Sequence, residues 1–304
     1  MATGSNKAII AAFLANLGIA VSKLVGFFLT GASSMLAEAV HSMADSGNQG
    51  LLLLGMSRAK QDESPERPFG HGRERYFWAF VVALVLFLLG GVFAIYEGVH
   101  KLSHPEPLES PLIAVGILVL GLVLEGGSFL TAVREAQQVR GSKGWLAFFR
   151  STKEAELPVV LLEDLGALIG LVVALGFVAL AIVTGDPRYD GYGSIAIGVL
   201  LTLIAVALSV KMRSLLVGES ASDAHVDAIE LALKGDPDIV RVLHMRTTHL
   251  GPDALLIGVK VAFRPELSVP EIAEAINAAE ARIRGEVPIA RYIYVEPDLP
   301  RVSG

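Results

Sequence analysis

Six long stretches of apolar sequence constrain this chain more than any other feature. Each is long enough to cross the hydrocarbon core of a bilayer as a helix, which takes about 20 apolar residues. They are residues 8–30, 33–57, 76–99, 111–133, 157–184 and 191–217. Because an unsatisfied backbone group in hydrocarbon costs several kcal/mol, we expect helices here rather than isolated strands. The sequence therefore predicts an all-α, six-helix transmembrane transport domain over residues 1–217.

Composition supports a membrane protein with a soluble appendage. Charged residues make up 18% of the chain, whereas soluble domains carry about 25%. The shortage is local, since long stretches have almost no charge while others are ordinary. The absence of cysteine excludes disulfides, thiolate zinc ligands and cysteine nucleophiles, so any metal must be held by nitrogen and oxygen. The first residues show no signal-peptide cleavage pattern, and we expect the first apolar stretch to be retained as a helix.

Lysine and arginine are distributed unequally between the predicted loops. Thirteen lie on one side of the membrane, and only Lys101 and Arg188 lie on the other. Positively charged loops remain on the cytoplasmic side. This distribution predicts that both termini are cytoplasmic, and the short termini favour a prokaryotic inner or plasma membrane.

Residues 218–304 have a different character. From residue 219 onward there are 14 Asp and Glu against 9 Lys and Arg, so this tail carries −5 of the net charge of −6. The patterns predict helix 222–234, strands 239–248 and 254–263, helix 269–283 and strand 291–296. Ser268 and Glu271 have capping-box spacing at the start of the second helix. The order α-β-β-α-β indicates a small α+β, ferredoxin-like cytoplasmic domain, and its acidity argues against nucleic acid as a partner.

The second predicted span contains three ionisable residues on one helical face. Glu38, His41 and Asp45 are spaced i, i+3 and i+7, and Asn48 extends the stripe. An ionisable group inside a membrane costs at least ~2.5–3.5 kcal/mol, so it usually faces the bundle and has a function. The alternative is that these side chains only hold helices together by hydrogen bonds. Three on one stripe favour the functional interpretation.

The fifth predicted span also carries acid, at Glu163 and Asp164. With a rise of about 1.5 Å per residue, Asp164 lies about 16 Å along the helix from Lys153, and Asp45 about 20 Å from Arg58. Both flanking charges are expected at the cytoplasmic interface, so the two acidic groups lie at similar depth. Because neighbouring residues point about 100° apart, Asp164 is the stronger candidate of the two.

One imidazole and two carboxylates suit Zn²⁺, with Mn²⁺ and Fe²⁺ as alternatives. Protons compete for the same ligands, so exchange of metal for protons follows. The sequence thus predicts a divalent metal transporter rather than an enzyme. Two other interpretations remain: a membrane acyltransferase that uses His41 and Asp45 as acid and base, and a non-transporting subunit whose tail recruits a partner. No nucleophile or substrate-binding motif accompanies the pair.

The chain resembles the cation diffusion facilitator family. The resemblance rests on the six spans, the α+β tail, His41-x-x-x-Asp45, Asp164, and the Phe-Gly-His-Gly sequence at residues 69–72. It implies a homodimeric exporter that exchanges metal for protons by alternating access, with the tail as a dimerisation domain. Family members carry two ligands on span two and two on span five. Here the fourth position is Val160, and the resemblance implies that Glu163 compensates within a branch that carries the sequence LLED.

The family's other metal positions are incomplete in this chain. The loop before span three keeps His71, but the partner positions hold Arg67 and Ser64, so His71 is expected to be structural. In the tail, His244 and Glu296 match metal positions, whereas Val259 and Tyr294 replace histidines. Glu125 in span four either lines the metal path or bonds a neighbouring helix.

Overall fold

The computed structural model describes residues 33–105 and 111–299, together with eight residues between positions 13 and 28. Most of the first predicted span, including Lys23 and Asn16, lies outside the described residues. The chain separates into two compact units. One combines Met1–Ser57 with Arg75–Arg213, and the other combines Arg58–Glu74 with Ser214–Gly304.

The first unit is helical throughout its described part. Its helices are α1 (Ser33–Arg58), α2 (Glu74–Ser103), α3 (Pro111–Arg140), α4 (Trp145–Ser151), α5 (Glu156–Thr184) and α6 (Arg188–Val217). Four of the described helices are long and apolar enough to cross a membrane: α2, most of α3, α5 and α6. Helix α1 covers the second predicted span. The predicted helical membrane domain is therefore confirmed over these residues, and α4 is a short helix that the sequence analysis did not predict.

Helices α2 and α6 approach each other through glycines. A Cβ atom built on Gly98 would lie 2.7 Å from the backbone oxygen of Gly191, and one on Gly198 would lie 2.6 Å from Cγ1 of Ile95. Small residues let helix backbones come close in a membrane, where van der Waals packing replaces the hydrophobic effect. Each helix presents glycines seven residues apart, at Gly91 and Gly98 on α2 and at Gly191 and Gly198 on α6. This spacing keeps the glycines on one face of each helix.

Replacing Gly98 with Ala is expected to destabilise the protein by about 1–3 kcal/mol, because the added methyl group forces the two backbones apart. The matched control is Gly176→Ala on α5, where an added Cβ meets nothing within 4 Å. The control is expected to be neutral or slightly stabilising, since Ala favours helix over Gly. Thermal unfolding in detergent measures both. Equal melting temperatures for the two variants would mean that the α2–α6 contact tolerates a wider separation.

The second unit contains α7 (Asp223–Lys234), β1 (Ile239–Gly251), β2 (Ala254–Phe263), α8 (Val269–Glu286) and β3 (Ala290–Pro297). The sheet order is β1-β2-β3, with β1 and β2 antiparallel and β2 and β3 parallel. The two helices pack on the sheet over a core that includes Ile229, Leu233, Ile257 and Ile283. The predicted α-β-β-α-β order is confirmed, as is the capping box that begins α8.

The loop Arg58–Glu74 belongs to this second unit. The carboxylate of Glu63 accepts hydrogen bonds from Oη of Tyr292 at 2.5 Å and from Nη2 of Arg291 at 2.8 Å. Phe69 meets the Tyr292 ring edge to face, with centroids 5.2 Å apart. The hydrogen bond from Tyr292 and the neighbouring Arg291 lower the pKa of Glu63. The loop is thus held to β3 by two hydrogen bonds, an ion pair and an aromatic contact.

Candidate metal centre

A small cavity lies among the membrane helices of the first unit. Its volume is about 10 Å³, roughly the space that one water molecule requires. Residues from five helices line it: Asp45, Gln49, Leu86, Glu125, Glu163, Asp164, Ala167 and Leu201. No lysine or arginine is among these described lining residues. Four carboxyl groups therefore surround one small space.

Helix α5 directs two of its three acidic residues, Glu163 and Asp164, toward this cavity. Asp164 is only 8% exposed, and its Oδ2 accepts a hydrogen bond from Oγ of Ser128 at 3.0 Å. Glu163 is partly buried, and its Oε1 accepts a hydrogen bond from Nδ2 of Asn48 at 2.6 Å. Two adjacent residues of one helix therefore both line the cavity.

Helix α1 provides the opposite wall. Asp45 lines the cavity and interacts with the carboxyl group of Glu163. One turn further along, Asn48 and Gln49 are 1% and 8% exposed. The backbone of α1 includes His41, whose side chain lies outside the described part of the structure. The structure thus brings Asp45, Glu163 and Asp164 together around one cavity, and the role of His41 as a ligand stays a prediction.

The carboxylates line the cavity without converging on one point. Among the described side chains, no three His, Asp or Glu groups are arranged closely enough to hold a metal ion. A divalent cation attracts carboxylates strongly where the dielectric constant is low. Metal binding is therefore expected to draw these side chains together.

The predicted positions in the tail are engaged in other contacts. His244, Lys260 and Glu296 lie in register on β1, β2 and β3. Nζ of Lys260 donates to Glu296 at 2.8 Å and to Asp298 at 3.1 Å, and these hydrogen bonds raise the pKa of Lys260. His244 accepts a hydrogen bond from Nε of Arg246 at 2.8 Å. A lysine ammonium therefore lies between the two residues that would share a metal.

The loop before α2 is folded by its own hydrogen bonds. Ser64 and Arg67 form a tight turn, and Nη1 of Arg67 donates to Glu74 at 2.8 Å. His71 is partly buried, and its backbone oxygen accepts a hydrogen bond from the backbone of Glu74 at 2.9 Å. This hydrogen bond uses only the backbone of His71, and the structural role of its side chain stays a prediction.

A family model for the cation efflux transmembrane domain matches residues 9–217, which is well over half of the chain. The chain belongs to the cation efflux family. Members of this family are transporters rather than enzymes, so the acyltransferase interpretation does not hold. The resemblance to cation diffusion facilitators inferred from the sequence is confirmed.

Two relatives of this cation efflux protein are named for zinc transport. The human proton-coupled zinc antiporter SLC30A9, mitochondrial, is 34% identical over 267 residues, which cover 87% of this chain and 46% of that protein. The zinc transporter ZitB of Pectobacterium atrosepticum is 24% identical over 257 residues, 84% of this chain and 75% of ZitB. A solved C-terminal domain of MamM is 20% identical, with a TM-score of 0.24, and covers 26% of this chain and 98% of that domain. The chain spans less than half the length of its human relative.

Three polar residues at or next to this cavity are not assigned by the sequence patterns. Glu125 and Gln49 line the cavity, and Ser128 donates a hydrogen bond to Asp164. Their positions carried a usable signal, because Gln49 stands four residues after Asp45 and continues the stripe of His41 and Asp45. Likewise, Ser128 stands three residues after Glu125 on the same face of α3.

Proposed function

We propose that this cation efflux protein exports a divalent metal ion, Zn²⁺, through the cavity between α1, α3 and α5. The observation that carries the proposal is that Asp45, Glu163 and Asp164 all line one small cavity between apolar helices. Carboxylates compensate a dication where water cannot, and an added imidazole from His41 makes the donor set suit Zn²⁺. Mn²⁺ and Fe²⁺ are the alternative substrates for a set of this kind.

Proton coupling and alternating access are part of the same proposal. Ligands must be deprotonated to bind metal, so a proton taken up on one side of the membrane releases the ion there. The human relative is named a proton-coupled zinc antiporter, which supports the exchange. Both termini are proposed to be cytoplasmic from the distribution of Lys and Arg, and export then runs from the cytoplasm outward.

The C-terminal unit is proposed to pair two copies of the chain. Its three-stranded sheet has β1 and β3 as edges, and exposed apolar side chains lie on α7 and β1, at Leu231 and Val240. An open sheet edge can pair with a second chain through its unpaired backbone groups. We propose residues 1–217 as the transport domain and residues 218–304 as the dimerisation domain.

Zinc flux into sealed vesicles that contain the purified protein tests the transport function. With the vesicle interior made acidic, the account predicts that zinc accumulates inside. Protein-free vesicles under the same gradient provide the background. Flux no greater than that background, from folded protein in sealed vesicles, would contradict the proposal and favour a non-transporting subunit.

The role of Glu163 determines whether α5 supplies two metal ligands or one. Its carboxylate lies at the cavity and accepts the hydrogen bond of Asn48. If it binds metal in place of a ligand at Val160, Glu163→Gln should weaken zinc binding at least about tenfold, or 1.4 kcal/mol. Calorimetric titration measures the affinity, and thermal unfolding shows whether the variant is folded. Unchanged affinity with lowered thermal stability would mean that Glu163 only joins α5 to α1.

A further inference from the structure

One face of helix α3 packs against α5 and carries two polar residues. The family's four ligand positions lie on spans two and five and do not include this face. Gly121, Glu125 and Ser128 are spaced i, i+4 and i+7, so they share one face of the helix. A Cβ on Gly121 would lie 3.2 Å from Cδ2 of Leu171 on α5, and Ser128 bonds Asp164 on α5. This face therefore packs against α5, and Glu125 between them lines the cavity.

The opposite side of α3 is apolar and exposed. Val123 is 68% exposed and Leu130 is 56% exposed, as expected of side chains that contact lipid. An acid placed on that side would meet hydrocarbon. Glu125 instead faces the cavity and interacts with Asp164. Glu125 is thus the fourth carboxyl group at this cavity. The fourth ligand position of the family is occupied in this chain by Val160, which cannot bind metal.

Gln49 gives independent support from the other wall. It is 8% exposed and lines the cavity, and its Oε1 accepts no hydrogen bond within the described part of the chain. A buried oxygen without a donor costs about 1–3 kcal/mol. A cation in the cavity satisfies that oxygen, because an amide carbonyl is a good ligand for a hard or borderline metal.

We propose that Glu125 and Gln49 contact the transported cation, and that Ser128 is a positioning residue that holds Asp164 toward it. This inference rests on the proposed metal transport. Glu125 adds a further carboxyl group to the cavity, and Gln49 adds a neutral oxygen one turn beyond Asp45. A bound dication attracts these oxygens and draws them together. The site is then built from three helices, α1, α3 and α5.

An enlarged set of oxygen ligands has a consequence for selectivity. Oxygen donors suit Mn²⁺ better than they suit Zn²⁺, which prefers nitrogen as well. Removing either added oxygen should therefore weaken Mn²⁺ binding more than Zn²⁺ binding. A purely structural role for Glu125 or Gln49 would affect both ions alike.

The test is titration of purified full-length protein with Zn²⁺ and with Mn²⁺, using Glu125→Gln and Gln49→Met. Each variant keeps the size of the side chain while it removes a charge or an oxygen. We expect Glu125→Gln to weaken Mn²⁺ binding at least tenfold, with a smaller loss for Zn²⁺, and Gln49→Met to act in the same direction. If Glu125→Gln does not fold, Glu125→Asp keeps the charge and should retain binding of both ions.

Ser128 is tested against a matched neighbour. The hydroxyl of Thr131 donates to its own helix, at the backbone oxygen of Gly127, and the side chain is exposed. Ser128→Ala should weaken zinc binding several-fold, Ser128→Thr should restore it, and Thr131→Val should change nothing. Rescue by Thr identifies the hydroxyl, rather than the volume of the side chain, as the feature that holds Asp164.

The outcomes separate this inference from the transport proposal. Wild-type zinc flux that Asp45→Asn abolishes, together with unchanged affinities in Glu125→Gln and Gln49→Met, would overturn the inference and leave the proposed function intact. Absence of wild-type flux would instead overturn the proposed function. If Glu125→Gln and Gln49→Met weaken Zn²⁺ and Mn²⁺ binding equally, the inference about Glu125 and Gln49 is overturned, because an equal loss indicates damage to packing.

Discussion

Asp45→Asn is expected to abolish zinc flux while the protein remains folded. Asparagine keeps the shape and one oxygen of the side chain, but it loses the charge that compensates the ion. Removing one partner of a buried pair of charges costs roughly 3–5 kcal/mol, and 1.4 kcal/mol is about tenfold. Binding should therefore fall by more than about two orders of magnitude.

The measurement is zinc flux in sealed vesicles, with thermal unfolding to confirm that the variant is folded. Asp164→Asn should behave in the same way, because Asp164 lines the same cavity and is held by Ser128. Asp186→Asn is the matched control. Its side chain is exposed in the turn between α5 and α6, where it accepts a hydrogen bond from the backbone of Arg188. Full flux in a folded Asp45→Asn protein would contradict the site.

His41→Asp is expected to change which metal the protein prefers. The substitution exchanges a nitrogen donor for an oxygen donor, so metal binding persists while the preference moves from Zn²⁺ toward Mn²⁺. We expect a change of at least about tenfold in the ratio of the two affinities, or 1.4 kcal/mol. Titration of wild type and variant with both ions measures the ratio. His100→Asp is the control, because His100 is exposed near the end of α2.

An unchanged Zn²⁺/Mn²⁺ ratio in His41→Asp would remove the imidazole from the site. The donor set would then be oxygen alone. In that case Glu125 and Gln49 would supply the remaining ligands, and preference for zinc would have to arise from the size of the cavity.

Much of the architecture could be predicted because single, local signals specify it. Long apolar stretches specify membrane helices, and the Ser268–Glu271 spacing specifies where α8 begins. The strand prediction for residues 254–263 coincides with β2. Each of these features depends on residues close together in the chain.

Other features depend on contacts that no local pattern contains. The loop Arg58–Glu74 joins the C-terminal unit through Glu63 and Tyr292, which are 229 residues apart in the chain. The π-helical segment Leu86–Val92 of α2 also has no clear local signal. Amide and hydroxyl side chains in membrane helices commonly join neighbouring helices by hydrogen bonds, so their presence in a span does not by itself indicate a ligand. Spacing alone therefore does not assign Gln49 and Ser128, whereas the structure places Gln49 at the cavity and Ser128 in a hydrogen bond to Asp164.

The location of bound zinc tests the central claim most directly. Crystals of the full chain grown with Zn²⁺ can be measured on either side of the zinc absorption edge, and an anomalous difference map then shows where the metal binds. The account predicts a peak among the side chains of Asp45, Glu163 and Asp164, which Asp45→Asn removes or strongly weakens. Zinc peaks that occur only at surface histidines or in the C-terminal unit, with none between α1 and α5, would contradict it.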